Sequence, residues 1–170
     1  MIAPLKSTFG TDARNRIDET VDPTVVGAVA ALESFYHAFN HENAELIGRV
    51  WADDPHVRLY NPVGGIVKGG KEATDRYRSL FAARRNAKVT FHDIIGYYVE
   101  SMSLFAGRED LTVEIDGTRT VVPVRTSRIF LYINGKWRQV HHHGSVDDPE
   151  TLDWYQEVMT GVGGSEWNEK

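Results

Sequence analysis

The 170-residue chain has no cysteine. Disulfides, thiolate metal centres and cysteine nucleophiles are therefore excluded. The absence fits a reducing cytoplasm, which is the compartment expected. No apolar run approaches the ~18 residues a transmembrane helix requires. The first ten residues lack the basic leader and apolar core of a signal peptide. There is no basic excess either: the net charge is -5, which argues against a nucleic-acid partner, since such a protein normally carries a basic stripe. The one dense basic run, Arg84-Arg85 with Lys88 nearby, reads as a solvated loop. A Gly-x-Ser-x-Gly nucleophile elbow is missing. Gly64-Gly65 and Gly69-Gly70 lack the strand-to-helix spacing of a phosphate-cradling loop and read as turns. Repeats and low-complexity segments are absent as well. What remains, 41% hydrophobic and 25% charged, is enough to bury one ordinary globular core.

Residues 1–22 are polar and weakly periodic, and read as an arm that is either flexible or ordered by docking. Asp22-Pro23 reads as a helix start, with Asp capping and Pro in the first turn. Val25, Val29, Leu32, Tyr36 and Phe39 then fall on one helical face to about Asn40. Asn43 caps a short second helix through Trp51. Residues 56–61 alternate as a strand, Pro62 and Gly64-Gly65 turn the chain, and Ile66-Val67 returns it. A third helix is predicted over 71–83. Four long strand runs follow (89–100, 102–116, 118–133 and 136–145), two of the junctions being Asp116-Gly117 and Asn134-Gly135. These dipeptides suit two-residue hairpins, because both central residues of a type I′ turn need positive φ. A short helix over 149–159 and a flexible tail over 161–170 complete the chain.

Helices followed by an antiparallel meander imply an α+β domain. The expected form is a cone-shaped α+β barrel, three N-terminal helices packed on a curved, mostly antiparallel sheet. The expected organisation is an arm at 1–22, one domain at 23–147, and a short helix and tail at 148–170.

If the last hairpin closes at Asn134-Gly135, Ile133 pairs with Lys136, Tyr132 with Trp137, Phe130 with Gln139 and Arg128 with His141. Alternation then puts Arg128, Phe130, Tyr132, Trp137, Gln139, His141 and His143 on one face, and Ile129, Leu131, Ile133, Arg138, Val140 and His142 on the other. The first face suits a pocket wall. The second is aliphatic and suits an interface.

Three stretches carry a family resemblance: Trp51-Ala-Asp-Asp-Pro-His-Val-Arg-Leu-Tyr60, Pro62-Val-Gly-Gly-Ile-Val-Lys-Gly69, and Asn134-Gly-Lys-Trp-Arg-Gln-Val-His-His-His-Gly-Ser145. Together they resemble the nuclear transport factor 2-like (SnoaL-like) superfamily over residues 24–146. The third is similar to the end of the calcium/calmodulin-dependent kinase II association domain, where a Gly-Lys-Trp turn leads into a Val-His-x-His-x-Ser strand. Arg128 matches a pocket arginine of that domain by its spacing to the Trp. The resemblance implies a cone-shaped cavity and sheet-to-sheet dimerisation. It does not fix a reaction. The aspartate pairs of ketosteroid isomerases and limonene epoxide hydrolases have no counterparts at matching positions, and neither does the Asp with two His of scytalone dehydratase.

The candidate site follows from the polar face. His141 and His143 are read as pocket acid/base groups, as metal ligands with Glu33, Asp110 or His92, or as structural histidines. The reading carried forward makes His141, His143 and Tyr36 catalytic, with no metal and no cofactor. Arg128 is either a bidentate anion clamp or half of a salt bridge to Glu33 or Asp110. Tyr36 offers a phenol to a developing oxyanion, or is a core Tyr. Tyr60, Tyr132 and Trp137 are read as substrate-binding wall or as core. Asp53 and Asp54, before Pro55, are read as local backbone acceptors.

Two functions are carried forward. One is a cofactor-independent isomerase, cyclase or dehydratase acting on a small molecule, with a carboxylate as its expected handle. The other is a non-catalytic ligand-binding or oligomerisation domain. In both, the partners expected are a small-molecule ligand and a second copy docked through the convex sheet face, with no nucleic acid and no membrane.

Overall fold

A computed structural model describes residues 1–83, 86–115 and 117–160. The Arg84-Arg85 loop, Asp116 of the first hairpin signal and the tail at 161–170 lie outside the described residues.

The chain runs β1 (Ile2–Leu5), a 3-10 turn (Ile17–Val21), α1 (Val25–Asn40), α2 (Ala44–Val50), β2 (Arg58–Tyr60), β3 (Val67–Lys68), α3 (Gly70–Ala82), β4 (Lys88–Val99), β5 (Met102–Ile115), β6 (Thr118–Ile133), β7 (Lys136–Ser145) and α4 (Pro149–Thr160). The strands form one seven-stranded sheet in the order β1-β4-β5-β6-β7-β2-β3, antiparallel except where β2 lies parallel to β7. This is the expected α+β architecture, with helices on the concave side of a curved sheet.

Local chemistry explains most boundaries. Helix α1 starts after Thr24, whose hydroxyl accepts the Val26 N–H at 3.2 Å. Asp22 does not cap the helix directly. Its Oδ1 accepts the Thr24 N–H and hydroxyl at 2.8 and 2.6 Å and holds the cap in place. The helix therefore begins two residues later than Asp22-Pro23 implies. Asn43 caps α2 as expected, accepting the Leu46 N–H at 2.9 Å. Asp54 accepts the His56 N–H at 2.7 Å, a local turn bond rather than half of a carboxylate pair. The β6–β7 turn has positive φ at Asn134 and Gly135, as a type I′ turn requires.

The first 22 residues pack onto the domain. Strand β1 adds to the edge of β4, Phe9 bridges to Phe91, and Arg14 and Arg16 both reach the buried Glu33 carboxylate. Helix α1 fills the cone, burying Leu32, Phe35, Tyr36 and Phe39 against the strands. A register shift between His92 and Ile95 bends β4. Among the described residues, no helix is long and apolar enough to cross a membrane.

A second register shift decides the site. Ile133, Tyr132 and Phe130 pair with Lys136, Trp137 and Gln139, as the turn dictates. Beyond Phe130 the ladder slips: Ile129 pairs with His141, Arg128 with His142 and Ser127 with His143. Val140 is the extra residue of a β-bulge. Because side chains alternate, one extra residue moves every later side chain to the opposite face. The expected Arg128–His141 pairing is therefore corrected to Arg128–His142.

Candidate functional site

Inside the cone, β5, β6 and β7 project Glu109, Thr126, Arg128, Gln139 and His142 toward Tyr36 of α1. All of these are buried. Arg128 donates from Nη2 to Glu109 Oε1 at 2.8 Å, from Nε to the Tyr36 hydroxyl at 3.0 Å and from Nη1 to Gln139 Oε1 at 3.3 Å. The Tyr36 hydroxyl donates to Glu109 Oε1 at 2.5 Å, and Thr126 donates to Glu109 Oε2 at 2.8 Å. The guanidinium carbon lies 3.8 Å over the Phe35 ring, so the cation also stacks on an aromatic face.

Electrostatics assign the charges. Burial alone would push the Glu109 carboxyl up, but Arg128, with help from the Tyr36 hydroxyl, holds it down to about 2. Arg128 stays cationic. Burial pushes the Tyr36 phenol well up, so it remains a neutral donor. His142 is driven well below 6.5, first by burial and then by Arg128. Its ring is neutral, and among the described residues neither nitrogen has a hydrogen-bond partner. Its Nε2 lies 3.9 Å from Glu109 Oε2.

His142, Arg128 and Glu109 open onto a cavity of about 70 Å³, walled by Phe35, Phe39, Leu80, Val89, Leu111 and Val124. The polar rim is Asn61, Tyr77 and Tyr155. The Asn61 side-chain oxygen is buried without a partner among the described residues, and burial pushes the Tyr77 phenol up to about 12. These polar atoms face a small hollow that is otherwise apolar. Helix α4 covers this end: Tyr155 is buried, and the Gln156 amide donates to the Pro62 carbonyl at 2.9 Å.

The predicted site residues divide. Arg128 reaches the cavity, but Glu109 already neutralises it, so a ligand carboxylate placed there would also face the Glu109 charge. Neither Glu33 nor Asp110 pairs with it. Glu33 belongs to Arg14 and Arg16, while Asp110 Oδ2 lies 3.2 Å from His92 Nε2. Tyr36 is in the cluster, but its proton is committed to Glu109. His141 and His143 are corrected to the convex face by the Val140 bulge. Tyr60 goes with them, since it pairs with His143 and its ring centroid lies 5.4 Å from that of His141 and 5.8 Å from that of His143. Tyr132 and Trp137 are on the concave side, though at the closed end. Their ring groups donate to the carbonyls of Val21 and Asp22, both at 2.9 Å, anchoring the 3-10 turn rather than lining the cavity. Among the described residues, no cluster of three His, Cys, Asp or Glu is arranged to hold a metal.

Sequence reasoning missed Glu109, His142, Asn61, Tyr77 and Tyr155. Alternation along β5 carries a signal for Glu109: it shares a face with Phe105, Leu111 and Val113, all buried, and a charge on such a face calls for a buried partner.

Comparison with known proteins places this geometry in context. The model of the SnoaL-like domain matches residues 28–149. A curated relative, the F-box protein SKIP8 of Arabidopsis thaliana, is 21% identical over 132 residues, which are 76% of this chain and 54% of that protein. The chain thus spans about half the length of that relative. Among solved structures, a candidate calcium/calmodulin-dependent protein kinase II association domain from Xanthomonas campestris superposes with a TM-score of 0.62 at 18% identity, covering 74% of this chain and 90% of that one. A candidate dehydratase of the NTF2-like family from Streptomyces avermitilis gives 0.61 at 20% identity, covering 69% and 91%. At such identities the likeness is one of fold.

Proposed function

The chain belongs to the SnoaL-like domain family, and from that premise we propose that its cone is a small-molecule site working without a cofactor, with His142 as the acid/base group. The observation that carries this is the state of His142. It is a neutral imidazole whose nitrogens have no hydrogen-bond partner among the described residues, it faces a largely apolar cavity, and an ionised carboxylate lies 3.9 Å from Nε2. A neutral imidazole accepts a proton from a bound substrate, and Glu109 then stabilises the imidazolium that forms. The Tyr77 phenol, kept protonated by burial, donates to an oxygen that gains negative charge. Arg128 and Tyr36 fix the Glu109 carboxylate and do not themselves react. Proton removal followed by its return, or by loss of a leaving group, is isomerase or dehydratase chemistry, and both need only such a site.

The test is native mass spectrometry of the purified protein. A retained small molecule is expected in the wild type and lost in His142→Gln. Retention unchanged by that substitution would remove His142 from the site.

A second reading is carried by the outer sheet face. Tyr97, Val99, Met102, Leu104, Ile129, Leu131 and Val140 form an apolar surface there, and Tyr97 and Val99 are exposed large hydrophobics. An apolar sheet face of this kind suits a two-fold interface with a second copy. The homodimer it supports is compatible with either a catalytic or a purely ligand-binding cone. Light scattering that shows only monomer would exclude it.

A further inference from the structure

A second hollow adjoins the first. It measures about 130 Å³, lies between α3, the β2–β3 turn and α4, and is lined by Val63, Arg76, Ser79, Ala83 and Met159. Asn61, Tyr77, Leu80 and Tyr155 line both hollows. These four side chains are thus the partition between an inner chamber and its mouth.

The two chambers differ in charge. The inner one is neutral in sum, because Arg128 is matched by Glu109 and His142 is uncharged. An anion pushed inside would lose water and meet the Glu109 carboxylate, both unfavourable. The mouth holds Arg76, and among the described residues its guanidinium makes no hydrogen bond or ion pair. Its neighbours on α3 differ: Lys71 and Arg78 both engage Asp75. Glu72, one turn earlier and the natural helical partner of Arg76, folds back over the helix start. A Cβ placed on Gly69 would lie 2.1 Å from its Oε2. Arg76 therefore stands without an ion-pair partner, exposed at the mouth beside Val63, Leu80 and Met159, with Glu72 and Asp75 lining the open surface on its other side, and is available for a charge-assisted bond to an arriving anion.

We infer that the ligand is a small carboxylic acid bound lengthwise, its carboxylate held by Arg76 at the mouth and its uncharged oxo or hydroxy end passing the Tyr77–Tyr155 partition to reach His142. A carboxylate matches one arginine in charge and in its two-oxygen geometry. This rests on the reading of the inner chamber as a ligand site. It moves the anion-holding role from Arg128, where the sequence pattern puts it, to a residue on α3.

The experiment uses a panel of small oxo and hydroxy acids, each paired with its primary amide, titrated into the wild type, Arg76→Gln and His142→Gln. Binding is followed by amide NMR shifts at Leu80 and Tyr155, and each variant's melting curve checks that it folds. The expected result is that acids bind about tenfold tighter than their amides, that Arg76→Gln abolishes this preference by weakening the acids to the level of their amides, and that His142→Gln weakens both. Equal binding of acids and amides, or a preference that survives Arg76→Gln, overturns the inference and leaves the chamber reading intact, provided His142→Gln still weakens binding. No binding across the panel, or binding indifferent to His142→Gln, overturns the chamber reading and this inference with it.

Discussion

Arg128 faces His142 across the β6–β7 ladder, and the single extra residue Val140 is what brings them together. Without the bulge, His141 and His143 would enter the cone and His142 would lie outside. The three adjacent histidines therefore separate cleanly by experiment. His142→Gln should lower occupancy of the cone at least about tenfold, the worth of one or two buried hydrogen bonds. His141→Gln and His143→Gln should leave occupancy unchanged. Native mass spectra of the three variants decide, and loss of ligand from either outer variant would contradict the bulged register.

The Glu109–Arg128 pair is expected to matter more for stability than any surface pair. Arginine stays protonated even when buried, so removing its partner leaves an uncompensated charge. Glu109→Leu should cost about 3–5 kcal/mol in urea unfolding. Adding Arg128→Met should recover much of that loss, because the double variant buries no charge. A double variant as unstable as the single one would show that packing, not charge, dominates there.

These two predictions mark where the sequence was legible and where it was not. Periodicity located α1, and Asn134-Gly135 located the β6–β7 turn, because both depend on residues close in the chain. Register held from Ile133 to Phe130 for the same reason. It failed at Val140, whose side chain resembles any strand residue; a bulge there depends on how β7 meets β2 as well as β6. Arg128 was legible as a pocket arginine. Its partner was not, since choosing Glu109 over Asp110 or Glu33 requires the strand's facing and a three-dimensional neighbour. Tyr155 was hidden for a similar reason: nothing local in α4 says that it folds back over the mouth of the cone.

Stability should fall as the solution is acidified below neutrality. His142 titrates far below its ordinary 6.5 in the fold. The unfolded chain therefore takes up a proton near pH 6.5 that the native state refuses, and stability, complete above that pH, declines as pH falls. One such group contributes a slope of about 1.4 kcal/mol per pH unit in this window. Urea unfolding of His142→Gln between pH 7.5 and 5 should show a slope shallower by about that amount. Glu109 adds a second loss at lower pH, beginning near its ordinary 4.5 and ending near 2. Identical slopes in wild type and variant would mean that His142 is not buried neutral.

The convex face yields a separate outcome. Ile129 and Leu131 lie on it, on the central strand β6 and half-exposed. If a second copy covers them, a buried carboxylate at Leu131 has no partner, and its desolvation opposes association by several kcal/mol. Leu131→Glu should convert the dimer to monomer at micromolar concentration in sedimentation velocity, while the melting curve of the monomer stays cooperative. Dimer persisting in the variant would place the interface elsewhere.

Trp137 tests the boundary between pocket and scaffold. The sequence pattern put it on the ligand wall, but its indole N–H donates to the Asp22 carbonyl, and its ring lies against Gly27 of α1. A Cβ on Gly27 would come within 2.8 Å of Trp137 Cδ1 and 2.1 Å of the Asp22 oxygen. The glycine is thus required by close approach, not by its backbone angles. Gly27→Ala must shift α1, the indole or the chain at Asp22, at a cost of about 1–3 kcal/mol for an overpacked contact. Because this contact lies at the closed end of the cone, the folded fraction of Gly27→Ala should bind ligand with unchanged affinity. Stability measured by urea unfolding, set beside affinity measured on the folded protein, separates the two roles: affinity falling along with stability would return Trp137 to the ligand wall.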